Sequence, residues 1–225
     1  KIVRDLERLT ASASTLREWE AEDAKSFQIY QAVQQAKEEF RGTEVMEPSA
    51  VYSFFKAASD GNRLHLMASS GKRALIELPR QKKENGLCLA DYVRPVKEAG
   101  STPQWEDMHD NIGAFVVSVG RGVREMAENL KNRGEYLKSH IVQVLALESA
   151  EGYAELLHSQ IRAHWGYADS PETTMVDRFQ AKYRGKRYSF GYPACPRLDD
   201  QSVLFDLLDP SEIGVQLTEG FMMDP

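Results

Sequence analysis

The chain has 225 residues, 42% of them hydrophobic and 28% charged, with a formal net charge of −6. That length suits one large domain or two small ones, and the composition is that of a folded soluble protein rather than a disordered one. The acidic balance excludes the basic face that nucleic acid or an anionic membrane would need; no apolar run has membrane-spanning length, and no signal segment is read at the first residues.

Residues 2–40 are rich in Ala, Glu, Gln, Lys and Leu and predict one or two helices, with Phe27, Tyr30, Val33 and Phe40 facing inward. Pro48 ends that region. Residues 51–55 and 64–67 read as short strands joined through Ser59-Asp60-Gly61-Asn62, a turn signal between antiparallel strands, and residues 74–78 read as a third. Residues 82–86 are polar and predict a surface loop, after which 87–93 return to apolar and aromatic character. A loop with Pro, Trp and acids over 100–110 precedes residues 112–119, an apolar, β-branched run that is the best buried-strand candidate in the chain. Helices are expected over 123–133 and 135–165, separated or merely interrupted by Gly134. Another is expected to start at Ser170-Pro171-Glu172, with Ser as cap and Pro in the first turn. A Gly/Pro-rich segment (191–196), a helix near 202–208 and an extended piece near 215–222 follow. Strands bunch between helices without regular alternation, which predicts an α+β fold with a mainly antiparallel sheet.

Only two cysteines occur, Cys88 and Cys195. They are far apart in sequence, so no disulfide framework is expected and a cytoplasmic setting is. No His/Cys cluster has zinc spacing, and no metal site is expected. His65, His109, His140, His158 and His164 are scattered and read as surface or core residues.

Two features stand out chemically. In the long helix, Leu137, Ile141, Val144, Leu145, Gly152 and Leu156 mark an apolar stripe, with Glu148, Glu151 and Glu155 on or beside it. Buried carboxylates are costly unless they meet a cation or donors. These acids either reach the rim and pair with arginines, or at least one faces a polar ligand. The second feature is Arg187-Tyr188-Ser189-Phe190-Gly191-Tyr192-Pro193-Ala194-Cys195-Pro196. Two prolines so close suit neither helix nor central strand, so a shaped loop is expected. Its three aromatics either plug the core or line a site where the arginine forks onto a carboxylate. Cys195 has no histidine nearby in sequence and reads as a packed thiol. Gly120-Arg121-Gly122 is too short for a phosphate loop and reads as a strand-to-helix turn.

Arg187-x-x-x-Gly191-Tyr192-Pro193-Ala194-Cys195-Pro196 resembles the RxxxGYPACP signature of the activation domain of cobalamin-dependent methionine synthases. Further segments resemble that family in the same order: Leu89-Ala90-Asp91-Tyr92-Val93-x-Pro95, Asp110-Asn111-Ile112-Gly113-Ala114-Phe115-Val116-Val117, Ala150-Glu151 through Leu157-His158, Trp165-Gly166-Tyr167, and Leu217-Thr218-Glu219-Gly220-Phe221. The resemblance covers residues 48–225 and leaves 1–47 as a helical lead-in. It implies a C-shaped, single-domain α+β fold, with a central twisted antiparallel sheet flanked by helices. It implies binding of S-adenosylmethionine, the methyl donor for reductive remethylation of inactive cob(II)alamin, with the cobalamin bound by another domain of the parent enzyme. The implied partners are that cobalamin-binding domain and a flavodoxin or flavoprotein reductase. The isolated fragment is not expected to turn over alone.

Residue by residue, the resemblance implies that Arg187 holds the ligand's carboxylate, Ser189 contacts it through backbone, and Tyr192 lies near ligand and cobalamin. Glu151 matches a family carboxylate near the ligand's charged end, and residues 221–225 match a loop that approaches the corrin. Some positions depart. Ala181 stands where the family has an acid, Tyr188 and Phe190 replace prolines of some members, and an Asp-Trp stretch is not recognised in residues 1–47. The family's last strands and a site tyrosine are not matched, so the C-terminal end reads as truncated. A stand-alone adaptor that docks on a corrinoid protein without methyl transfer is the alternative. A conventional doubly wound methyltransferase is disfavoured by the missing glycine-rich turn and acidic ribose anchor.

Overall fold

The computed structural model describes residue 20 and residues 24–224, except the side chain of Phe179; earlier parts of the expected N-terminal helices lie outside the described residues. The first long element is helix α1, Ala24–Phe40, which buries Val33, Ala36 and Phe40. Their i, i+3, i+7 spacing puts them on one helical face, whereas Phe27 and Tyr30 are only half-buried. The described residues divide into two units, one with residues 20, 24–49 and 117–155, the other with 50–116 and 156–224.

In the first unit, α1 packs with α2 (Val123–Asn132) and the first part of α3 (Tyr136–His164). Val33, Ala36 and Phe40 meet Ala127, Leu130, Ile141, Val142 and Leu145 in one cluster. Each large apolar side chain buried there contributes roughly 1.5–3 kcal/mol. Gly134, at φ +79°, ends α2 and separates it from α3, so the helical region is broken rather than continuous. Gly120 has φ +116°, and an added Cβ would lie 2.3 Å from the Val45 carbonyl oxygen. Only glycine serves at this strand-to-helix turn.

A four-stranded sheet is formed by β1 (Pro48–Asp60), β2 (Arg63–Met67), β3 (Arg73–Glu77) and β4 (Asp110–Val119), joined in the order β3-β2-β1-β4. The pairing is antiparallel and the class is α+β. The expected turn is a tight hairpin: Asp60 pairs with Arg63, and Gly61 takes φ +60°. Strand β4, expected to be the buried one, stands at the sheet edge and buries only Val116, Ser118 and Val119. The inner strand β1 takes that role with Phe55, Ala57, Ala58 and Ser59. A β-branched run shows fitness for a sheet, but neighbours on both sides decide burial. Ser59 is satisfied on three counts. Its Oγ donates to the Val93 carbonyl (2.8 Å), its N–H to Arg94 (3.0 Å), and its carbonyl accepts from Val96 (2.8 Å).

Helix α4 spans Met175–Phe179, five residues later than Ser170, because Thr174 supplies the cap: its hydroxyl accepts from the Asp177 N–H while Asp177 reaches back to the Thr174 N–H. This reciprocal capping outcompetes Ser170-Pro171, which forms a preceding turn instead. Helix α5, Gln201–Leu208, packs near β3. The expected extended tail is a small hairpin, β5 (Gln216–Leu217) with β6 (Met223–Asp224). Among the described residues no helix is long and apolar enough to cross a membrane.

Candidate functional site

The Arg187–Pro196 segment is the irregular loop its prolines demand, and its backbone is closed on itself. The Gly191 N–H donates to the Cys195 carbonyl (2.9 Å), Cys195 to Tyr192 (3.0 Å), and Tyr192 to Ser189 (3.3 Å). The Leu89 N–H donates to the Ala194 carbonyl (2.9 Å), anchoring the loop beside Cys88. Gly191, at φ +86°, lies so close to Leu198 that a Cβ would sit 2.9 Å from its Cδ2. The three aromatics divide. Tyr188 and Phe190 pack against the apolar core of the second unit, with Tyr188 against Tyr92 at 5.0 Å between ring centres. Tyr192 is 61% exposed. Core plugging and an outward-facing ring thus coexist in one loop. Cys195 is buried and donates from Sγ to the Ser189 carbonyl at 3.1 Å. Burial, then Asp200 and Cys88, pushes its thiol up to about 11, so it is packing rather than a nucleophile.

Just ahead of the loop lies a buried charged group that sequence reasoning missed. Arg162, only 1% exposed, donates from Nη2 (2.7 Å) and Nε (3.2 Å) to Asp169 Oδ1. Its Nη1 meets His158 Nδ1 at 2.8 Å. Arginine can only donate, so Nδ1 accepts and the neutral imidazole keeps its proton on Nε2. The guanidinium also stacks on Tyr183 at 3.8 Å from the ring centre. Asp169 accepts from Ser159 Oγ (3.2 Å) and pairs with Arg178 (3.4 Å). Hydrogen bonding from Arg162 leads the effects that hold the Asp169 carboxyl below its usual range, ahead of an opposing burial penalty. Burial first, then Arg162 and Arg187, lowers His158 to about 4 against an opposing pull from Asp169. His158 and Arg162 are spaced i, i+4 and share the buried face of Ala154, Leu157 and Ile161, but that burial is seen only in the structure.

The expected site residues fall into two groups. Arg187 is half-buried, Ser189 is exposed, and Tyr192 is the exposed ring; all three belong to the one loop of the second unit. Glu151 is an exposed residue on the part of α3 that belongs to the first unit. Glu148 and Glu155 are half-buried. The single stripe expected along α3 does not exist. Leu137 and Leu156 are 52% and 54% exposed. The first unit buries Ile141, Val142 and Leu145, while the second buries Ala154, Leu157, His158, Ile161 and Arg162. At about 100° per residue the two sets lie on nearly opposite sides of the helix, and Glu151, although exposed, projects on the side of His158 and Arg162. At the chain's end Phe221, Met222 and Met223 are exposed; Phe221 takes φ +59°, and its carbonyl accepts from Gln201 Nε2 (2.7 Å).

Among known proteins, residues 8–225 match the family described as vitamin B12 dependent methionine synthase, activation domain. The chain is 30% identical over 188 residues to the methionine synthase of Mycobacterium tuberculosis (strain ATCC 25618 / H37Rv), covering 79% of this chain and 15% of that protein. With the methionine synthase of Mycobacterium leprae (strain TN) the identity is 29% over 188 residues, with 79% and 15% covered. The chain thus spans 15% of the length of these curated relatives. Its fold is similar to a crystal structure of the MetH reactivation domain bound to AdoHcy, with a TM-score of 0.79 and 25% identity, covering 99% of this chain and 69% of that one.

Proposed function

The chain belongs to the activation-domain family of vitamin B12-dependent methionine synthases, and from that premise we propose that it binds S-adenosylmethionine at the Arg187–Pro196 loop. One observation carries the reading. The loop buries Ala194 and Cys195 and packs the half-buried Tyr188 and Phe190 against the core to fix its course, yet leaves Arg187 half-buried and Tyr192 61% exposed. The residues fit such a ligand: a guanidinium forks onto a carboxylate, and an exposed ring can lie against an adenosyl group or a sulfonium. AdoHcy, which the solved relative binds, carries the same amino-acid and adenosyl ends.

S-adenosylmethionine, when bound, supplies a methyl group made electrophilic by its sulfonium. Arg187 holds the carboxylate and so orients the ligand. Ser189 offers backbone hydrogen bonds from a loop already closed on itself, which lowers the ordering cost of binding. Tyr192 flanks the ligand on the side offered to an incoming cobalamin. The role of Glu151, a carboxylate for the ligand's charged end, rests on the family likeness alone. The same holds for residues 48–225 as the ligand-binding domain and 1–47 as its lead-in. The wider proposal is that the parent enzyme is a cobalamin-dependent methyltransferase forming methionine. Its cobalamin is bound by another domain and its reductant is a flavodoxin or flavoprotein reductase, in the cytoplasm.

Isothermal titration of the chain with S-adenosylmethionine or AdoHcy tests the reading; a single saturable site is expected, and a folded chain that binds neither ligand overturns it. Arg187→Ala is expected to fold and to weaken binding by roughly 1.5–3 kcal/mol, the value of a charge-assisted contact. A dissociation constant unchanged from the parent chain removes Arg187 from the site.

A further inference from the structure

The segment carrying Arg187 follows its course for a physical reason that lies outside the signature motif. Four residues before Arg187, the Tyr183 ring covers the Arg162 guanidinium at 3.8 Å and meets the His158 ring edge-on at 5.5 Å. Two residues before Arg187, Gly185 runs so close to the same side chain that a Cβ would sit 3.2 Å from Arg162 Cδ and 3.4 Å from the Tyr167 ring. Gly185 has φ +94°, a conformation that L side chains rarely adopt. The chain is therefore laid along the Arg162 side chain over two consecutive contacts and then delivers Arg187.

Arg162 can serve as such a template only because it is itself immobilised. Asp169 takes its Nε and Nη2, His158 takes Nη1, and Tyr183 covers its face. A guanidinium 1% exposed without those partners would be strongly destabilising. The Asp169 carboxylate pairs with the Arg162 charge while also meeting Arg178. The neutral imidazole of His158 completes the hydrogen bonding without adding a further charge.

We propose that Arg162, locked by Asp169, His158 and Tyr183, is a positioning residue that sets the path of the 183–187 segment and so places the Arg187 guanidinium for the ligand's carboxylate. The proposal rests on the S-adenosylmethionine reading above and extends it to residues that do not touch the ligand. Arg162 acts through Arg187, and His158 acts through Arg162.

The test compares variants that keep or remove the acceptor for Arg162 in the 225-residue chain, with AdoHcy as the titrated probe and thermal unfolding as a check on the fold. His158→Gln retains an oxygen acceptor and is expected to bind within about threefold of the parent chain. His158→Leu fills the space without an acceptor and is expected to bind at least about tenfold more weakly. Rescue by Gln but not by Leu separates positioning from packing. Gly185→Ala, which presses on Arg162 Cδ, is expected to weaken binding to a similar extent. Equal affinity of His158→Leu and the parent, both folded, overturns the positioning role while leaving the ligand reading intact. Failure of the parent chain to bind AdoHcy overturns both. Should His158→Leu not fold, the imidazole nitrogen resonances of His158 in the parent chain decide. AdoHcy is expected to shift them while those of His109 and His140 stay in place, and unmoved His158 resonances refute the proposal.

Discussion

His158 shows how one residue turns from a bland sequence position into a structural control. Its native proton affinity is pulled from 6.5 to about 4, first by burial and then by Arg162 and Arg187. The unfolded chain therefore binds a proton in a range where the native chain does not. By linkage, stability falls as pH drops from 6.5 toward 4 and the loss is complete only below the native value. Asp169 acts in a lower window, because its depressed carboxyl costs stability only as pH falls through and below the ordinary carboxylate range. Urea unfolding of the parent chain at pH 7 and pH 5 is expected to show lower stability at pH 5, and His158→Gln is expected to narrow that difference. An unchanged difference would mean that His158 is not neutral in the native protein. The irregular loop that carries Arg187, Ser189 and Tyr192 was legible because its prolines and glycine have strong backbone preferences. His158, Arg162 and Asp169 were not, because nothing local distinguishes an arginine that pairs in the interior from one that points to solvent.

Helix α4 illustrates the same limit for an element. Both Ser170-Pro171 and Thr174-x-x-Asp177 are plausible helix starts, and the reciprocal bonds of Thr174 and Asp177 select the second. Its end is equally defined. The Lys182 N–H donates to the Asp177 carbonyl (2.8 Å) and Ala181 N–H to Arg178 (2.9 Å), with Ala181 left-handed at φ +51°. This is the closing pattern that favours glycine after a helix. Ala181→Gly is therefore expected to stabilise the chain, by up to about 1 kcal/mol in chemical denaturation, since it removes the left-handed penalty of a Cβ. Destabilisation by that substitution would show that the alanine methyl packs usefully. Strand β4 and helix α3 carry a related lesson. Their types were readable from β-branching and from a long unbroken run of helix formers, but their buried faces were not. A face is assigned by what packs against it, and α3 is packed on one side in its first part and on nearly the opposite side in its last.

For the whole molecule, the apolar residues form separate clusters. Among the described residues Val33, Phe40, Ile141 and Leu145 share one, while Phe55, Leu64, Ile76 and Cys195 share another. Leu145→Ala is expected to cost about 2–5 kcal/mol and Phe55→Ala about 3–5 kcal/mol, by lost burial and residual cavity. Equilibrium denaturation of each single variant checks the loss, and a variant as stable as the parent chain would show that its site collapses without a cavity.

The sequence by itself determined the α+β class, the order of most elements, the hairpin at Gly61 and the stiff loop from Arg187 to Pro196. Each depends on short-range chemistry: side-chain periodicity, β-branching, missing proline N–H groups and the freedom of glycine to take positive φ. Tertiary structure alone decided that β4 lies at the edge, that α3 changes its buried face, and that Arg162 supports the segment leading to Arg187. Those outcomes depend on which distant residues exclude water from a given side chain and which partners meet its charge. Desolvation is a property of the folded surroundings, and no local pattern along the chain encodes it.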